Sequence, residues 1–272
     1  MIKALFFDLD GTLLNSEKKI SQRTRTALEK CREKGYKLFL ATARPPLLDR
    51  MLSWDKSMLS IFDGGTYYNG GCIKIGKRKE YLPVSDHIVH KIIDCVNSYD
   101  NYNIALQLAD EKHAFRFGLE DKGYRSWGVN SEEALMLSQA GKNKTIKIII
   151  FTLNLIDSVE PITDNLVASL EKMCVDEAQL YLTDSGKCIQ IMGKSVNKLN
   201  SVETIRKNFG FEKDEIAVFG DDTNDEEMLS EYKYSIAMRN ATDHVKKTAG
   251  YVTLDNNRDG IEYAIANILK LL

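Results

Sequence analysis

The feature that most constrains this chain is the stretch at residues 4–14, which reads ALFFDLDGTLL. A short apolar run that ends in turn residues predicts a buried strand stopping at Asp8. Side chains on an extended chain alternate between faces, so Asp8 and Asp10 project to the same side. Gly11 then allows the backbone to turn away without a Cβ clash. Two carboxylates at the end of a buried strand repel each other, so we expect a cation there, or a phosphate held with a cation.

Composition favours a globular protein of one or two domains. The 272 residues are 43% apolar and 28% charged, which is enough for a core and ordinary for a protein in water. The formal net charge of -2 gives no indication of a nucleic-acid or acidic membrane partner. Apolar runs such as residues 146–151 are too short to span a bilayer, and the start shows no signal-peptide architecture. Five scattered cysteines without a CxxC pattern predict free thiols in a reducing cytosol, and hence a cytoplasmic protein.

A second strand follows the first through a helix. Residues 21–34 have apolar positions at helical spacing, with Ser21 as the predicted N-cap and Gly35 as the stop. Residues 36–41 predict a buried strand, and a strand–helix–strand unit of this length is parallel. The strand ends at Thr42, which a parallel sheet would bring beside Asp8 at the edge where ligands bind. Taken alone, a threonine at a strand end is more often structural, because β-branched residues favour strands.

The rest of the chain predicts an interrupted α/β fold. After a predicted core strand at residues 61–62 and predicted hairpins over residues 66–83, the pattern changes to strands paired as hairpins with helices between them. Buried strands then alternate with helices to the end of the chain. We therefore predict a doubly wound, parallel, Rossmann-like α/β sheet with an inserted α+β domain. The predicted core is residues 1–83 and 187–272, with residues 188–192 leading back to it, and the insert is residues 84–186. Within the insert, strands are predicted at 102–108, 113–117, 146–152 and 178–183 and a helix at 156–173.

A second acidic segment, GDDTND at residues 220–225, follows a predicted buried strand in the carboxyl-terminal half. Asp8, Asp10, Asp221 and Asp225 could not all ionise in one cleft without strong compensation. Mg2+ suits such a site because it binds oxygen ligands, keeps some waters and shares phosphate oxygens. Lys198, on a predicted amphipathic helix, would add a positive charge, although most lysines on such helices are solvated.

The opening segment resembles the first signature of the haloacid dehalogenase-like hydrolases, DxDGTL. Thr42, Lys198 and GDDTND resemble the second, third and fourth signatures of that family. The order of helices, hairpins and strands in the insert resembles the α/β cap (type IIB) of the Cof-type subfamily, which includes sugar-phosphate phosphatases. Asn69-Gly70 is similar to the xNG segment that precedes this cap. Two positions depart from the family pattern: Ala43 replaces a common glycine, and Asp222 stands where serine or threonine is common.

The resemblance implies a role for each matching residue. Asp8 would be the nucleophile that forms an aspartyl-phosphate, and Asp10 the general acid and base. The residues implied to hold Mg2+ are Asp8, Asp10, Asp221 and Asp225. The residues implied to hold phosphate are Thr42, Ala43, Lys198 and Asn224. The cap would close over the site, and candidate substrate contacts are Asn69, Tyr67, Tyr68 and Arg125.

These observations predict a Mg2+-dependent phosphatase of small phosphorylated metabolites such as sugar phosphates, acting as a monomer or weak dimer without nucleic-acid or membrane partners. A phosphosugar mutase would use the same nucleophile, and product analysis separates the two. A receiver-like phospho-Asp signalling protein shares an acidic pair, an acceptor Asp, Thr and Lys. It does not need a long insert or a second Asp two residues after the acceptor. A catalytically silent binding protein is the third alternative, against which the intact acidic residues argue.

Overall fold

The computed structural model describes residues 1–152 and 161–272, which divide into two compact units. The first unit comprises Met1–Ala43, Leu52–Glu80 and Lys198–Leu272. The second comprises Arg44–Met51 and Tyr81–Asn197. The first unit therefore contains both ends of the chain, and the second is inserted in it.

The strands of the described residues are, in chain order, β1 (Ala4–Phe7), β2 (Lys37–Ala41), β3 (Gly64–Tyr67), β4 (Cys72–Ile75), β5 (Arg78–Tyr81), β6 (Tyr102–Leu108), β7 (His113–Phe115), β8 (Leu135–Met136), β9 (Thr145–Thr152), β10 (Ala178–Thr183), β11 (Cys188–Gly193), β12 (Ile216–Gly220), β13 (Tyr234–Ala237) and β14 (Tyr251–Val252). The α-helices are α1 (Gln22–Glu33), α2 (Leu48–Met51), α3 (Lys56–Leu59), α4 (Asp86–Val96), α5 (Asp121–Ser126), α6 (Asp164–Cys174), α7 (Lys198–Phe209), α8 (Glu226–Glu231), α9 (Asp243–Thr248) and α10 (Gly260–Tyr263). A π-helical turn over Ala264–Ile268 continues α10.

The first sheet has the strand order β14-β13-β12-β1-β2-β3-β4-β5 among the described residues. The pairs from β14 across to β3 are parallel, and β3 pairs with β4 in the antiparallel sense. Helix α1 makes the crossover from β1 to β2, and the Ser21 side chain caps it by accepting from the Thr24 N–H, as predicted. The predicted parallel, Rossmann-like core is confirmed. Because β1 lies between β2 and β12, the carboxyl ends of these three strands are neighbours.

Strand β1 is buried on both faces, which explains its continuous apolar sequence. On one face, the rings of Phe6 and Phe39 stack with centroids 4.8 Å apart. On the other, Phe7 and Phe219 stack at the same centroid distance. These pairs fix the register of β1 against β2 and β12, and therefore the depth at which the next residue, Asp8, leaves the sheet.

The second unit contains a sheet of order β10-β11-β9-β6-β7-β8 among the described residues. Its pairs are antiparallel, apart from β7 with β8. Helices α4 and α6 bury their apolar stripes on one face, with Ile88 and Ile92 from α4 and Leu166 and Leu170 from α6. This arrangement confirms the inserted α+β fold.

Two strands differ from the sequence-based prediction. The third core strand is β3, not residues 61–62. Its two glycines have low strand propensity, so the local sequence does not indicate a strand there. Gly65 is needed for close packing against β2, because a Cβ at this position would lie 2.7 Å from the Leu40 carbonyl oxygen. Strand β11, predicted to return to the core, pairs with β9 and β10 in the second sheet. Its alternating apolar residues suit either sheet, so pattern alone could not assign it.

The predicted helix over residues 156–173 begins at Asp164 in the structure, and residues 156–160 of that prediction lie outside the described residues. Pro161 and Ile162 precede Thr163, which is the N-cap of the helix. Within residues 1–152 and 161–272, no helix combines the length and the apolar character needed to cross a membrane. All five cysteines are free thiols.

Candidate active site

Carboxylates meet where β1 and β12 end. The Asp8 N–H donates to the Phe219 carbonyl at 3.0 Å, which continues the parallel ladder by one residue. Asp221 and Asp225 follow β12 in a turn that opens α8. One carboxylate oxygen from each of Asp8, Asp221 and Asp225 lies within 4.8 Å of the other two. Sequence positions more than 200 residues apart are thus brought to one point.

Lys198 is the first residue of α7, and its side chain is 1% exposed. Its Nζ donates to Oδ1 of Asp8 at 2.7 Å and to Oδ1 of Asp225 at 2.7 Å. A buried ammonium requires such partners, because an unpaired charge in this position would lose its hydration without compensation. Lys198 therefore joins the β1 and β12 loops.

The cluster brings three carboxylates together with one ammonium group, and the pKa values of these groups are shifted by that crowding and by burial. Burial, followed by the charges of Asp8 and Asp225, raises the pKa of Asp221 to about 9. Burial raises the pKa of Asp8 to about 7, although Lys198 opposes this rise. Burial lowers the pKa of Lys198, but the carboxylates of Asp225 and Asp8 outweigh that effect and raise it. One ammonium group does not neutralise three carboxylates, and the remaining hard oxygen donors fit a divalent cation such as Mg2+.

Asp225 is held by its own loop. Its Oδ2 accepts hydrogen bonds from the N–H groups of Asp221, at 3.0 Å, and Asp222, at 3.2 Å. The carboxylate packs directly against Gly220, where a Cβ would lie 2.4 Å from the Asp225 Cγ. Gly220 is thus required by close approach. Asp222, the departure noted in the sequence, accepts from the Thr223 N–H and caps the following turn.

Thr12 is a site residue that the sequence analysis did not single out. Its Oγ1 donates to Oδ1 of Asp221 at 2.7 Å, and the residue is buried. The preceding Gly11 has φ +85°, and a Cβ there would lie 2.1 Å from Oδ2 of Asp221. The Gly-Thr pair in the opening motif was the available signal. Local sequence indicates only a turn at this pair, because Asp221, the partner of Thr12, is 209 residues away.

Asp10 is placed differently from the other acidic residues. Its side chain is 37% exposed, and Oδ1 accepts from Nζ of Lys18 at 2.8 Å. Its carboxylate is not part of the group formed by Asp8, Asp221 and Asp225. Lys18 was not predicted, and its position, eight residues later at φ +59°, left no recognisable signal in the sequence.

The predicted phosphate-binding residues lie on neighbouring loops. Thr42 is buried and its N–H donates to the Thr66 carbonyl at 2.9 Å. Ala43, which replaces the family's glycine, does not have a positive φ, so the substitution imposes no strain. Asn224 is buried in the loop after β12, and its Nδ2 donates to Oδ1 of Asn69 at 3.0 Å.

The predicted substrate contacts are dispersed. Tyr67 and Tyr68 are 5% and 0% exposed in the first unit, and burial raises the pKa of Tyr67 above its ordinary value. Asn69 is fully buried beside Asn224. Arg125 is exposed on α5 in the second unit. Tyr67 ends β3 and Tyr68 begins the turn after it, so both side chains are buried where that strand ends.

This chain is similar to known proteins in both sequence and fold. A family model described as haloacid dehalogenase-like hydrolase matches residues 5–265. The 5-amino-6-(5-phospho-D-ribitylamino)uracil phosphatase YcsE of Bacillus subtilis (strain 168) is 26% identical over 270 residues, covering 97% of this chain and 94% of that protein. YwtE of the same organism, which carries the same activity name, is 26% identical over 291 residues and covers 99% of each chain. The solved structure of the HAD subclass IIB sugar phosphatase BT4131 shares the fold, with a TM-score of 0.82, 24% identity and coverage of 99% of this chain and 100% of that one.

Proposed function

The chain belongs to the haloacid dehalogenase-like hydrolases and is a phosphatase, and from this premise we propose that it hydrolyses small phosphomonoesters, such as sugar phosphates, through an aspartyl-phosphate on Asp8. The observation that carries the proposal is the convergence of Asp8, Asp221, Asp225 and Lys198 at the carboxyl edge of the first sheet. A carboxylate held beside a fixed ammonium is positioned for attack on phosphorus. A turn that served only to reverse the chain would not require a buried carboxylate at Asp8 or a buried ammonium group at Lys198.

Asp8 is the proposed nucleophile. A carboxylate oxygen of Asp8 attacks phosphorus, and the bond from phosphorus to the leaving oxygen breaks. Lys198 holds Oδ1 of Asp8 at 2.7 Å, which fixes the orientation of the carboxylate for that attack. Because Lys198 also holds Asp225, one ammonium group orients two of the three carboxylates.

Asp10 is the proposed general acid and base. It donates a proton to the leaving oxygen in the first step and accepts a proton from water in the second. That water attacks phosphorus, the bond between phosphorus and Asp8 breaks, and inorganic phosphate leaves. Lys18 holds the Asp10 carboxylate at 2.8 Å and sets where it lies between turnovers.

Asp8, Asp221 and Asp225 are proposed to hold Mg2+, with Asp10 contributing from the same loop. Bound there, Mg2+ would neutralise charge on the phosphoryl group during transfer. The chain prepares this site by fixing Asp221 through Thr12 and Asp225 through the N–H groups of its own turn.

The phosphate oxygens are proposed to contact Thr42, Ala43, Lys198 and Asn224. Hydroxyl, backbone N–H, ammonium and amide donors suit the charge spread over a transferring phosphoryl group. We propose further that the first unit is the catalytic domain and that the second unit selects the leaving group, with Arg125 as a candidate contact. Mutation of Arg125 would then change KM between substrates without abolishing turnover of an aryl phosphate.

The test is a Mg2+-dependent phosphate-release screen on the purified chain. The panel contains sugar phosphates, nucleotides, vitamin phosphates and 5-amino-6-(5-phospho-D-ribitylamino)uracil, with EDTA as the metal-free control. We expect release from at least one sugar or polyol phosphate, at a rate that falls to background in EDTA. Conversion of a sugar phosphate to an isomer without phosphate release would favour a mutase. A phospho-Asp that persists in the wild-type protein would favour a signalling role.

A further inference from the structure

Tyr68 and Asn69 form an unusual turn after β3. Both residues are fully buried and both have left-handed backbones, with φ of 54° and 55°. L-residues seldom adopt this conformation, and asparagine tolerates it better than tyrosine does. Such outliers persist only where the surrounding structure holds them, and they concentrate at functional sites. The conformation of this turn therefore indicates a role beyond reversing the chain.

Asn69 connects two loops that are distant in sequence. Its N–H donates to the carbonyl oxygen of Thr42 at 3.0 Å. Its side-chain Oδ1 accepts from Nδ2 of Asn224, also at 3.0 Å, across 155 residues of sequence. Asn69 is thus hydrogen-bonded to two of the three segments that we propose to hold the phosphate, those of Thr42 and Asn224, and all three residues are buried in the first unit.

The hydrogen bond to Thr42 sets the direction of a neighbouring donor. A trans peptide group is planar, and its C=O and N–H point in opposite directions. Because the Thr42 C=O is fixed toward Asn69, the N–H of Ala43 in the same peptide group points the other way. This is the backbone donor assigned to the phosphate.

The hydrogen bond to Asn224 has a similar effect on a side chain. An amide nitrogen carries two hydrogens in one plane with its carbonyl group. When one hydrogen is engaged by Oδ1 of Asn69, the plane of the Asn224 amide is fixed, and the direction of the second hydrogen is fixed with it. Without this acceptor, the amide would rotate about its last torsion, which is broad and weakly restrained.

We propose that Asn69 is a positioning residue for the phosphate cradle, acting through the Thr42–Ala43 peptide group and the Asn224 amide. The inference rests on the proposed phosphatase function and adds a residue to its machinery that makes no contact with the reacting atoms. It also explains why a residue with an amide side chain stands where glycine would satisfy the backbone with less strain.

A double-mutant cycle isolates the side-chain part of this role. Asn69→Gly retains the left-handed backbone and its N–H but removes the acceptor oxygen. Asn224→Ala removes the amide that Asn69 holds. KM and kcat for p-nitrophenyl phosphate, and the competitive inhibition constant for inorganic phosphate, are measured for both single variants, the double variant and the wild type.

We expect N69G to raise KM and the inhibition constant by about three- to tenfold, the equivalent of one neutral hydrogen bond, with a smaller change in kcat. If Asn69 acts through Asn224, the double variant matches N224A to within about twofold. Effects that multiply in the double variant, or an N69G variant that matches the wild type, would overturn the inference. Asn69→Ser takes the place of N69G in the cycle if that variant melts well below the wild type.

Asp176→Gly is the matched control, since Asp176 is an exposed left-handed residue (φ 60°) in the second unit and its replacement should leave both constants unchanged. Different results contradict the proposed function and the role of Asn69. A wild type that releases no phosphate from any substrate contradicts the proposed function. An active wild type with an additive cycle contradicts only the role of Asn69.

Discussion

The Nζ of Lys198 lies 2.7 Å from Oδ1 of Asp8, joining the first residue of α7 to the residue that follows β1. The two residues are 190 positions apart in sequence, and both are buried. The hydrogen bond forms only when the amino-terminal strand and the carboxyl-terminal half assemble into one sheet. The site is therefore complete only when the first unit is folded.

Lys198→Met should destabilise the protein strongly, because it leaves Asp8 and Asp225 buried without their ammonium partner. Loss of one member of a buried ion pair typically lowers the free energy of unfolding by about 3–5 kcal/mol. Urea denaturation in EDTA measures the change. Lys19→Met is the control, since its ion pair with Glu17 is exposed and its loss should leave the curve unchanged. Equal curves for K198M and the wild type would show that the bridge contributes little.

Asp8→Asn should remove turnover while retaining phosphate binding. The amide keeps the size of the side chain but cannot serve as the nucleophile, so kcat should fall by more than about a thousandfold. Phosphate release with p-nitrophenyl phosphate measures turnover, and calorimetric titration with inorganic phosphate measures binding. Asp86→Asn, at an exposed carboxylate of the second unit, should match the wild type. Retained turnover in D8N would assign the nucleophile elsewhere.

Mg2+ should raise the melting temperature of the protein relative to EDTA, because a ligand that binds only the folded state stabilises it by mass action. Gly220→Ala should abolish this rise, since its Cβ would lie 2.4 Å from Cγ of Asp225 and must displace that carboxylate. Differential scanning fluorimetry over a Mg2+ series measures the effect. Gly118→Ala is the control, because its Cβ would meet only the Tyr124 hydroxyl, at 3.2 Å. A full Mg2+ response in G220A would separate Asp225 from the metal site.

Lys18→Met should lower kcat by about fivefold with little change in KM, because the carboxylate of Asp10 loses the group that positions it. Stability should hardly change, since both partners are substantially exposed. Steady-state kinetics with p-nitrophenyl phosphate and a thermal melt provide the two readouts. Lys18→Arg should recover most of the kcat. A fall in KM alone, or a large loss of stability, would contradict a positioning role.

The second unit should lose stability on mild acidification through His113. His113 is fully buried, and this burial lowers the pKa of its imidazole, although hydrogen bonds to the carbonyls of Trp127 and Lys112 oppose the shift. In the unfolded chain His113 takes up a proton near pH 6.5, whereas in the folded chain it does so only at a lower pH. Stability is therefore highest above pH 6.5 and falls as the pH drops below it. Melting temperatures at pH 7.5 and 5.5 measure the loss. His113→Phe should reduce that difference, and an unchanged difference would exclude His113 as its source.

Much of the first unit could be predicted from local sequence. Strands β1, β2 and β12 are short apolar runs with turn residues after them, and α1 has a serine cap and apolar positions at helical spacing. Each signal is contained within about a dozen residues. The predictions that failed depended on partners. Strand β3 contains two glycines that only a close neighbouring strand explains, and β11 has an alternation that suits either sheet.

The sequence by itself determined that acidic residues would follow two buried strands, because DLDGT and GDDTND each come directly after a short apolar run. The strand and the carboxylates that follow it are therefore both visible within a few consecutive residues. Only the tertiary structure decided which atoms meet. It placed Lys198 between Asp8 and Asp225, set Thr12 against Asp221, paired the Asp10 carboxylate with Lys18, and linked Asn69 to Asn224. The reason is physical: local sequence sets backbone conformation and burial, whereas a hydrogen bond between residues far apart in sequence depends on strand order and register, which the whole chain determines together.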